Sequence, residues 1–403
     1  ATFIPANRKL IEIILIAPIK YSLDCPALNK VAKAPGKNSV IAIPGIIKLT
    51  LGEPDFNVPG VMKKVAIDSI EKNDSHYAPG SGSIQLRKAI AKFMVDRYGL
   101  TYDPTSEIAV TVGATEGIYA SLSALVNPGD EVLITTPTFP LYMAVTTILG
   151  GKPVEFNTSN DQFVLTPERL RQVIAEHPHA KAIILNYPSN PTGVTYTREQ
   201  VKQLAAAIDQ TNLVVIADEI YSELVYSGHH TSIAEFIPGQ TLVLNGASKS
   251  QAMTGYRVGF IAGPQELMKP VSAIHAMMVT AAADPMMAAA AKGFASEEGK
   301  QATLEMKAAY KQRRDTLVPA LRELGFEITN PNGAFYVFAK LPERFGTDDV
   351  KFATELAEQG KVAVIPGSYF GAGGSGYLRI SYATSMAEIE EAIKRINQFV
   401  QED

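Results

Sequence analysis

The chain predicts an α/β fold, with a mainly parallel sheet covered by helices on both faces and a smaller α+β layer after it. Three observations carry this. From Glu107 onward, short apolar runs of strand length alternate with helical stretches, the pattern of parallel strands joined by crossovers. Several of those runs (Ala182 to Leu185, Leu213 to Ala217, Thr241 to Leu244) are almost wholly apolar and bounded by turn residues, as buried strands are. Beyond Leu324 the pattern changes to strands at Phe335 to Ala339, Val362 to Ile365 and Tyr377 to Ile380, with helices at Asp348 to Gln359 and Met386 to Val400. A chain of 403 residues accommodates both layers.

Taken in order, residues 1 to about 47 are irregular, with Pro5, Pro18, Pro26, Pro35 and Pro44 breaking any long helix. Arg8 and Lys9 precede an isoleucine-rich run, Leu10 to Ile19, in the manner of a secretory signal. Glu12 and Pro18 interrupt that run and no small-residue cleavage site follows, so a packed N-terminal arm is expected. Ile46 to Phe56 reads as a short strand ending at a glycine turn, where Gly52 is either a plain turn or a place for a ligand to approach the backbone. Helices follow over Gly60 to Lys72 and Ile84 to Tyr98, separated by a loop from His76 to Gly82 with Tyr77 at its head.

Ile108 to Val112 is a strand, and Gly113-Ala114-Thr115-Glu116-Gly117 opens the next helix. Free N–H groups and the helix dipole make such a start an anion site. The strand Val132 to Thr135 leads to Phe139, a core residue or a ring-stacker. After Ala182 to Leu185, two prolines and a glycine stiffen the loop carrying Asn190. Thr197 and Gln200 have the spacing of a capping box. Leu213 to Ala217 ends in Asp218, and a carboxylate there is costly unless paired, so it is a functional group or a helix cap. Asn245-Gly246 turns the chain out of Thr241 to Leu244 and places Lys249 on a loop just past a strand, where open α/β sheets hold their ligands. A lysine there is a Schiff-base nucleophile or a solvated charge. Arg257 offers a planar fork for a phosphate, and Ser248 adds a hydroxyl. An amine able to bond an aldehyde, next to groups able to hold a phosphate, suggests pyridoxal phosphate.

Composition narrows the classes. Hydrophobic residues are 46% and charged residues 19%, which fits a globular enzyme with a sizeable core. A formal net charge of -4 gives no electrostatic case for nucleic acid or an anionic membrane. The single cysteine, Cys25, excludes an intramolecular disulfide framework and a cysteine-rich metal site, and points to the cytoplasm.

The stretches LGEPDF, HYAPGSG, NYPSNPTG, ADEIYSEL, NGASKSQAMTGYRVGF and YLRISYA, in this order, resemble the fold-type I, pyridoxal phosphate-dependent class I aminotransferases from about Leu49 onward. The likeness is strongest to the branch of bacterial aromatic, aspartate and N-acetyl-diaminopimelate aminotransferases. It implies a large domain (61–295) with a mainly parallel seven-stranded sheet and a smaller α+β domain (296–403), with an N-terminal arm and part of the small domain in 1–60. Lys249 would hold the cofactor covalently and move a proton between substrate and cofactor. Asp218 would pair with the pyridine nitrogen, Tyr221 and Asn190 would bond the ring hydroxyl oxygen, and Phe139 would stack on the ring. Ala114, Thr115, Ser248 and Arg257 would cradle the phosphate. Tyr77 would reach the phosphate of a neighbouring subunit, which implies a homodimer with shared sites. Arg379 would take the substrate α-carboxylate, with the backbone at Gly52 closing over it. Aspartate-specialised relatives often carry a lysine where Thr115 stands, and no arginine lies between Arg257 and Arg313. Both features lean toward aromatic or broad amino donors with a 2-oxo acid acceptor. An aspartate or N-acetyl-diaminopimelate aminotransferase and a C–S β-lyase are the alternatives on the same residues.

Overall fold

The computed structural model describes residues 43–402. The expected N-terminal arm, the Leu10 to Ile19 run and Cys25 lie outside them. Thirteen strands are present in the described chain: β1 (Ile47–Lys48), β2 (Ile108–Thr111), β3 (Glu131–Thr136), β4 (Lys152–Asn157), β5 (Ala182–Asn186), β6 (Val214–Asp218), β7 (Thr241–Gly246), β8 (Gly259–Ala262), β9 (Glu327–Ile328), β10 (Tyr336–Lys340), β11 (Val362–Ala363), β12 (Ile365–Pro366) and β13 (Tyr377–Ser381).

Seven of them form one sheet in the order β2-β8-β7-β6-β5-β3-β4. β4, β3, β5, β6 and β7 pair in parallel, while β8 is antiparallel to both β7 and β2. Alternation along each strand feeds two cores. Ile183 and Leu185 pack with Leu170, Val173, Val201 and Leu204, whereas Ala182 and Ile184 pack with Ile118, Tyr142 and Val271. The parallel strands therefore end along one edge, and the residues that follow β5, β6 and β7 converge there.

The second layer is the antiparallel sheet β12-β13-β10-β9. Its core joins Phe335, Val337, Phe352, Ile389 and Ile396 to Leu317 and Leu321 of the long helix Glu297–Glu323. Ile47 and Leu49 enter this core, because β1 pairs in parallel with β11. That returns the start of the described chain to its C-terminal layer.

Several elements differ from the sequence reading. The strand expected over Ile46 to Phe56 shrinks to Ile47–Lys48, since beyond Leu49 the carbonyls of Thr50 and Gly52 accept side-chain donors instead of a neighbouring strand. Val362 to Ile365 is two strands, which serve different sheets on either side of Val364. Asn245 and Gly246 do not turn the chain; both belong to β7, and Lys249 sits on a one-turn helix, Ala247–Ser250. β4 was not anticipated. It is an edge strand with Pro153 and the charged residues Lys152 and Glu155, a composition that blunts edges and hides the strand signal. The Thr197–Gln200 capping box is formed on helix Arg198–Ile208.

Candidate active site

At that strand edge lies a cleft of about 690 Å³ between the two layers. Asp218 closes β6, with one carboxylate oxygen accepting from the Tyr142 hydroxyl at 2.7 Å and the other from the backbone N–H of Ile220 at 3.2 Å. Asn186, at the end of β5, donates to the Asp218 carbonyl at 2.9 Å and accepts from the backbone N–H of Asn190 at 2.9 Å. The rigid loop after β5 is thus pinned to the strand beside it. Burial pushes the Asp218 carboxyl up to about 6, against the two hydrogen bonds that favour its charged form.

Lys249 faces the same space. Its Nζ donates to the Gly52 carbonyl and sits 5.7 Å and 5.6 Å from the ring centres of Tyr221 and Phe335. Burial brings this amine down to about 8. Glu53 opposes the shift, and the Arg379 and Arg257 cations add to it. The amine therefore loses its proton far more readily than an ordinary lysine, and the neutral form that attacks an aldehyde is reached at mildly alkaline pH.

Arg379 lies on β13, buried between Tyr336 and Phe370, with its guanidinium 4.7 Å and 5.0 Å from their ring centres. It donates to Asn190 Oδ1 at 3.0 Å and to the Thr50 carbonyl at 2.6 Å, and its Nε has no partner among the described residues. Burial lowers its pKa, yet arginine stays charged. Tyr221 shares a 2.7 Å hydrogen bond with Tyr336, whose hydroxyl occupies the place a Cβ at Gly52 would need. Gly52 is therefore a close approach and not merely a turn.

Opposite, the helix Gly113–Leu125 points its first turn at the cleft, where Ala114 and Thr115 line it with Ser248 and Arg257. Arg257 donates to the Thr254 carbonyl at 2.8 Å and spans back toward Val112. A side chain at Gly113, whose φ is +76°, would collide with that guanidinium. Phe139 also lines the cleft, edge-on to Tyr142 at 5.8 Å.

Eleven of the twelve residues singled out from sequence (all but Tyr77) thus line one space. Tyr77 is 90% exposed and does not line the cleft of its own chain. The sequence reading missed Tyr142, Tyr336, Thr50, Asn186 and Glu53. Tyr142 lies three positions after Phe139, near the start of helix Leu141–Ile148, so the Phe139 neighbourhood held that signal. Tyr336 and Thr50 had none, because their roles rest on contacts between distant parts of the chain.

A buried amine and a buried carboxylate line one cleft together with an arginine fork and a helix N-terminus beside a second arginine. That is the equipment of an enzyme working on amino groups through a phosphorylated aldehyde. Residues 44–396 match the family described as aminotransferase class I and II, and the chain belongs to it. It is 38% identical over 355 residues to the probable N-acetyl-LL-diaminopimelate aminotransferase of Bacillus subtilis, covering 88% of this chain and 89% of that protein. It is 36% identical over 361 residues to the aspartate aminotransferase of Pyrococcus abyssi, covering 89% and 92%. The solved aromatic aminotransferase of Pyrococcus horikoshii superposes with a TM-score of 0.86 at 36% identity, over 91% of this chain and 98% of that one. The chain is an aminotransferase, and its cofactor is pyridoxal phosphate. The residues present fit that group: a low-pKa amine, a carboxylate able to face a ring nitrogen, and a cradle at Gly113 kept open by the lack of a Cβ. Among the described residues no helix is long and apolar enough to cross a membrane.

Proposed function

We propose that the chain transfers the amino group of an aromatic or broadly chosen L-amino acid to a 2-oxo acid such as 2-oxoglutarate, in two half-reactions at one site. Bound pyridoxal phosphate supplies an electron sink for the carbanion left when the substrate Cα loses its proton. Lys249 holds the cofactor and then, as an amine whose pKa burial has lowered, takes and returns that proton. Asp218, fixed by Tyr142 and Ile220, faces the ring nitrogen and keeps it protonated. Tyr221 and Asn190 bond the ring oxygen, and Phe139 lies against the ring. Ala114, Thr115, Ser248 and Arg257 grip the phosphate, and Arg379 holds the substrate carboxylate under the Thr50–Gly52 backbone. Tyr77, exposed on its own chain, completes the site of a second copy in a homodimer. Sedimentation at micromolar concentration should give twice the chain mass, and a monomer would remove that role.

The specificity reading rests on one observation. The cations lining the cleft are Lys249, Arg257 and Arg379, and each already has a task in this scheme. Among the described residues none is left for a distal carboxylate, while Leu51, Ile365 and Phe370 offer apolar surface. The test adds amino acids singly and follows conversion of bound pyridoxal phosphate to pyridoxamine phosphate by absorbance. Phenylalanine or tyrosine should react at least as efficiently as aspartate. A preference for aspartate above about tenfold, on the order of 1.4 kcal/mol in transition-state binding, would reverse the assignment. Release of pyruvate and ammonia from a cysteine conjugate without an acceptor would favour a C–S lyase.

A further inference from the structure

Behind the phosphate-facing turn lies an ion pair with no part in the chemistry above. Glu116, one residue beyond Thr115, folds its carboxylate back to accept the Val112 backbone N–H at 3.0 Å. A carboxylate is at home at a helix start, but this start also faces an anion, and two negative groups compete for the same dipole and N–H groups. His275, on helix Gln265–Val279, has a wholly buried side chain and places Nδ1 at 3.0 and 3.1 Å from the two Glu116 oxygens. Its Nε2 lies 2.8 Å from the Gly80 carbonyl, which can only accept, so Nε2 carries a hydrogen. The Nδ1 contact then holds one shared proton, and the pair has zero net charge wherever that proton resides. Burial works against a charged imidazole here, but the bonds to Glu116 and Gly80 outweigh it and leave the His275 pKa raised.

We infer that His275 is a positioning residue that cancels the charge of Glu116, so that the first turn of helix Gly113–Leu125 can cap itself internally and still attract a phosphate dianion. The same imidazole ties that turn to the loop carrying Tyr77, through Gly80. The inference rests on the reading of Ala114, Thr115 and Arg257 as the phosphate cradle.

Neutralisation and mere packing give opposite predictions for a double variant. The readout is the dissociation constant of pyridoxamine phosphate with the full-length chain, since that ligand lacks the aldehyde and is held by non-covalent contacts alone. His275→Gln strands a buried carboxylate beside the phosphate and should weaken binding by about tenfold or more. Adding Glu116→Gln removes the stranded charge, and Gln can still accept from Val112, so the double variant should recover most of the loss. Glu116→Gln alone should bind within about threefold of the parent, because no anion remains to be cancelled. A double variant no tighter than His275→Gln, or a His275→Gln chain that binds normally, overturns the inference. If His275→Gln does not fold, a tenfold loss in Glu116→Gln alone overturns it, and binding within threefold upholds it. Arg257→Ala is the control for the underlying reading: if it leaves binding unchanged, the cradle itself is misassigned.

Discussion

The cleft has two walls of different origin. One is built by the ends of the large sheet: Asp218 closes β6, Asn186 closes β5, and Lys249 follows β7 on a single helical turn. The other is the segment Thr50–Glu53 with Tyr336 and Arg379 of the small sheet. Strand ends fix the first wall locally, through hydrogen bonds such as Ile220 N–H to Asp218 and Asn190 N–H to Asn186. The second wall is held by contacts across the whole chain. Gly52 and Lys249 are 197 residues apart, Thr50 and Arg379 are 329 apart, and Asp55 and Arg313 are 258 apart. The first wall should therefore govern chemistry and cofactor, and the second should govern substrate binding.

The sharpest test of that division is on the first wall. Lys249→Ala should lower transamination by at least about 10⁴-fold, as loss of a proton-transfer and covalent group does, while pyridoxamine phosphate still binds. Borohydride reduction of the parent should place the pyridoxyl adduct on Lys249 by mass spectrometry; an adduct on another lysine ends the assignment. The amine's depressed pKa adds a pH signature. In the cofactor-free chain, the rate of adduct formation should rise with pH and level off above about 8, because only the neutral amine attacks. Continued acceleration toward 10 would mean that burial does not depress this lysine.

On the second wall, Arg379→Ala should raise KM far more than it lowers cofactor affinity. A charge-assisted hydrogen bond contributes roughly 1.5–3 kcal/mol, so kcat/KM should fall by about 10²-fold for donor and acceptor alike. Arg379→Lys should recover only part of this, since an ammonium lacks the planar fork. An unchanged KM for both substrates would move the carboxylate site elsewhere.

The two walls also differ in how far the sequence revealed them. Asp218, Lys249 and Asn190 were legible because each follows a buried apolar strand, and the position past a strand end carries its own prediction. The helix start at Gly113 was legible for the same reason. Arg379 was visible only through the YLRISYA resemblance; nothing in its local pattern separates a cleft arginine from a charge on a strand. Tyr336 was read only as part of the strand Phe335 to Ala339; it is buried, at 1% exposed, and its hydroxyl meets Tyr221 and blocks a side chain at Gly52. Periodicity reports that a residue is buried, not what its polar end touches. The Ile46 to Phe56 strand failed on the same ground, because its carbonyls were claimed by side chains from other layers.

The smallest expected effect tests how the second wall is held. Asp55 takes a bidentate fork from Arg313 at 2.7 and 2.9 Å, and the Tyr310 hydroxyl adds a third donor at 3.2 Å. Phe56 packs edge-on to Tyr310 at 5.6 Å, and the Arg313 guanidinium lies 5.2 Å from both ring centres. This cluster fastens Thr50–Phe56 to the long helix Glu297–Glu323. Tyr310 packs at 5.3 Å on Phe335, whose ring lies beside Lys249. None of these groups lines the cleft except through the backbone they hold. Asp55→Asn keeps the shape and loses the charge, and the pair is partly solvent-screened, so a cost of about 1 kcal/mol is appropriate. That corresponds to roughly fivefold in KM for both half-reactions, with kcat and pyridoxamine phosphate affinity unchanged. Amide hydrogen exchange should quicken at Gly52 and Glu53 and stay slow along β6 and β7. A fall in kcat with KM constant would show that this segment belongs with the chemical wall, and the division between the two walls would fail.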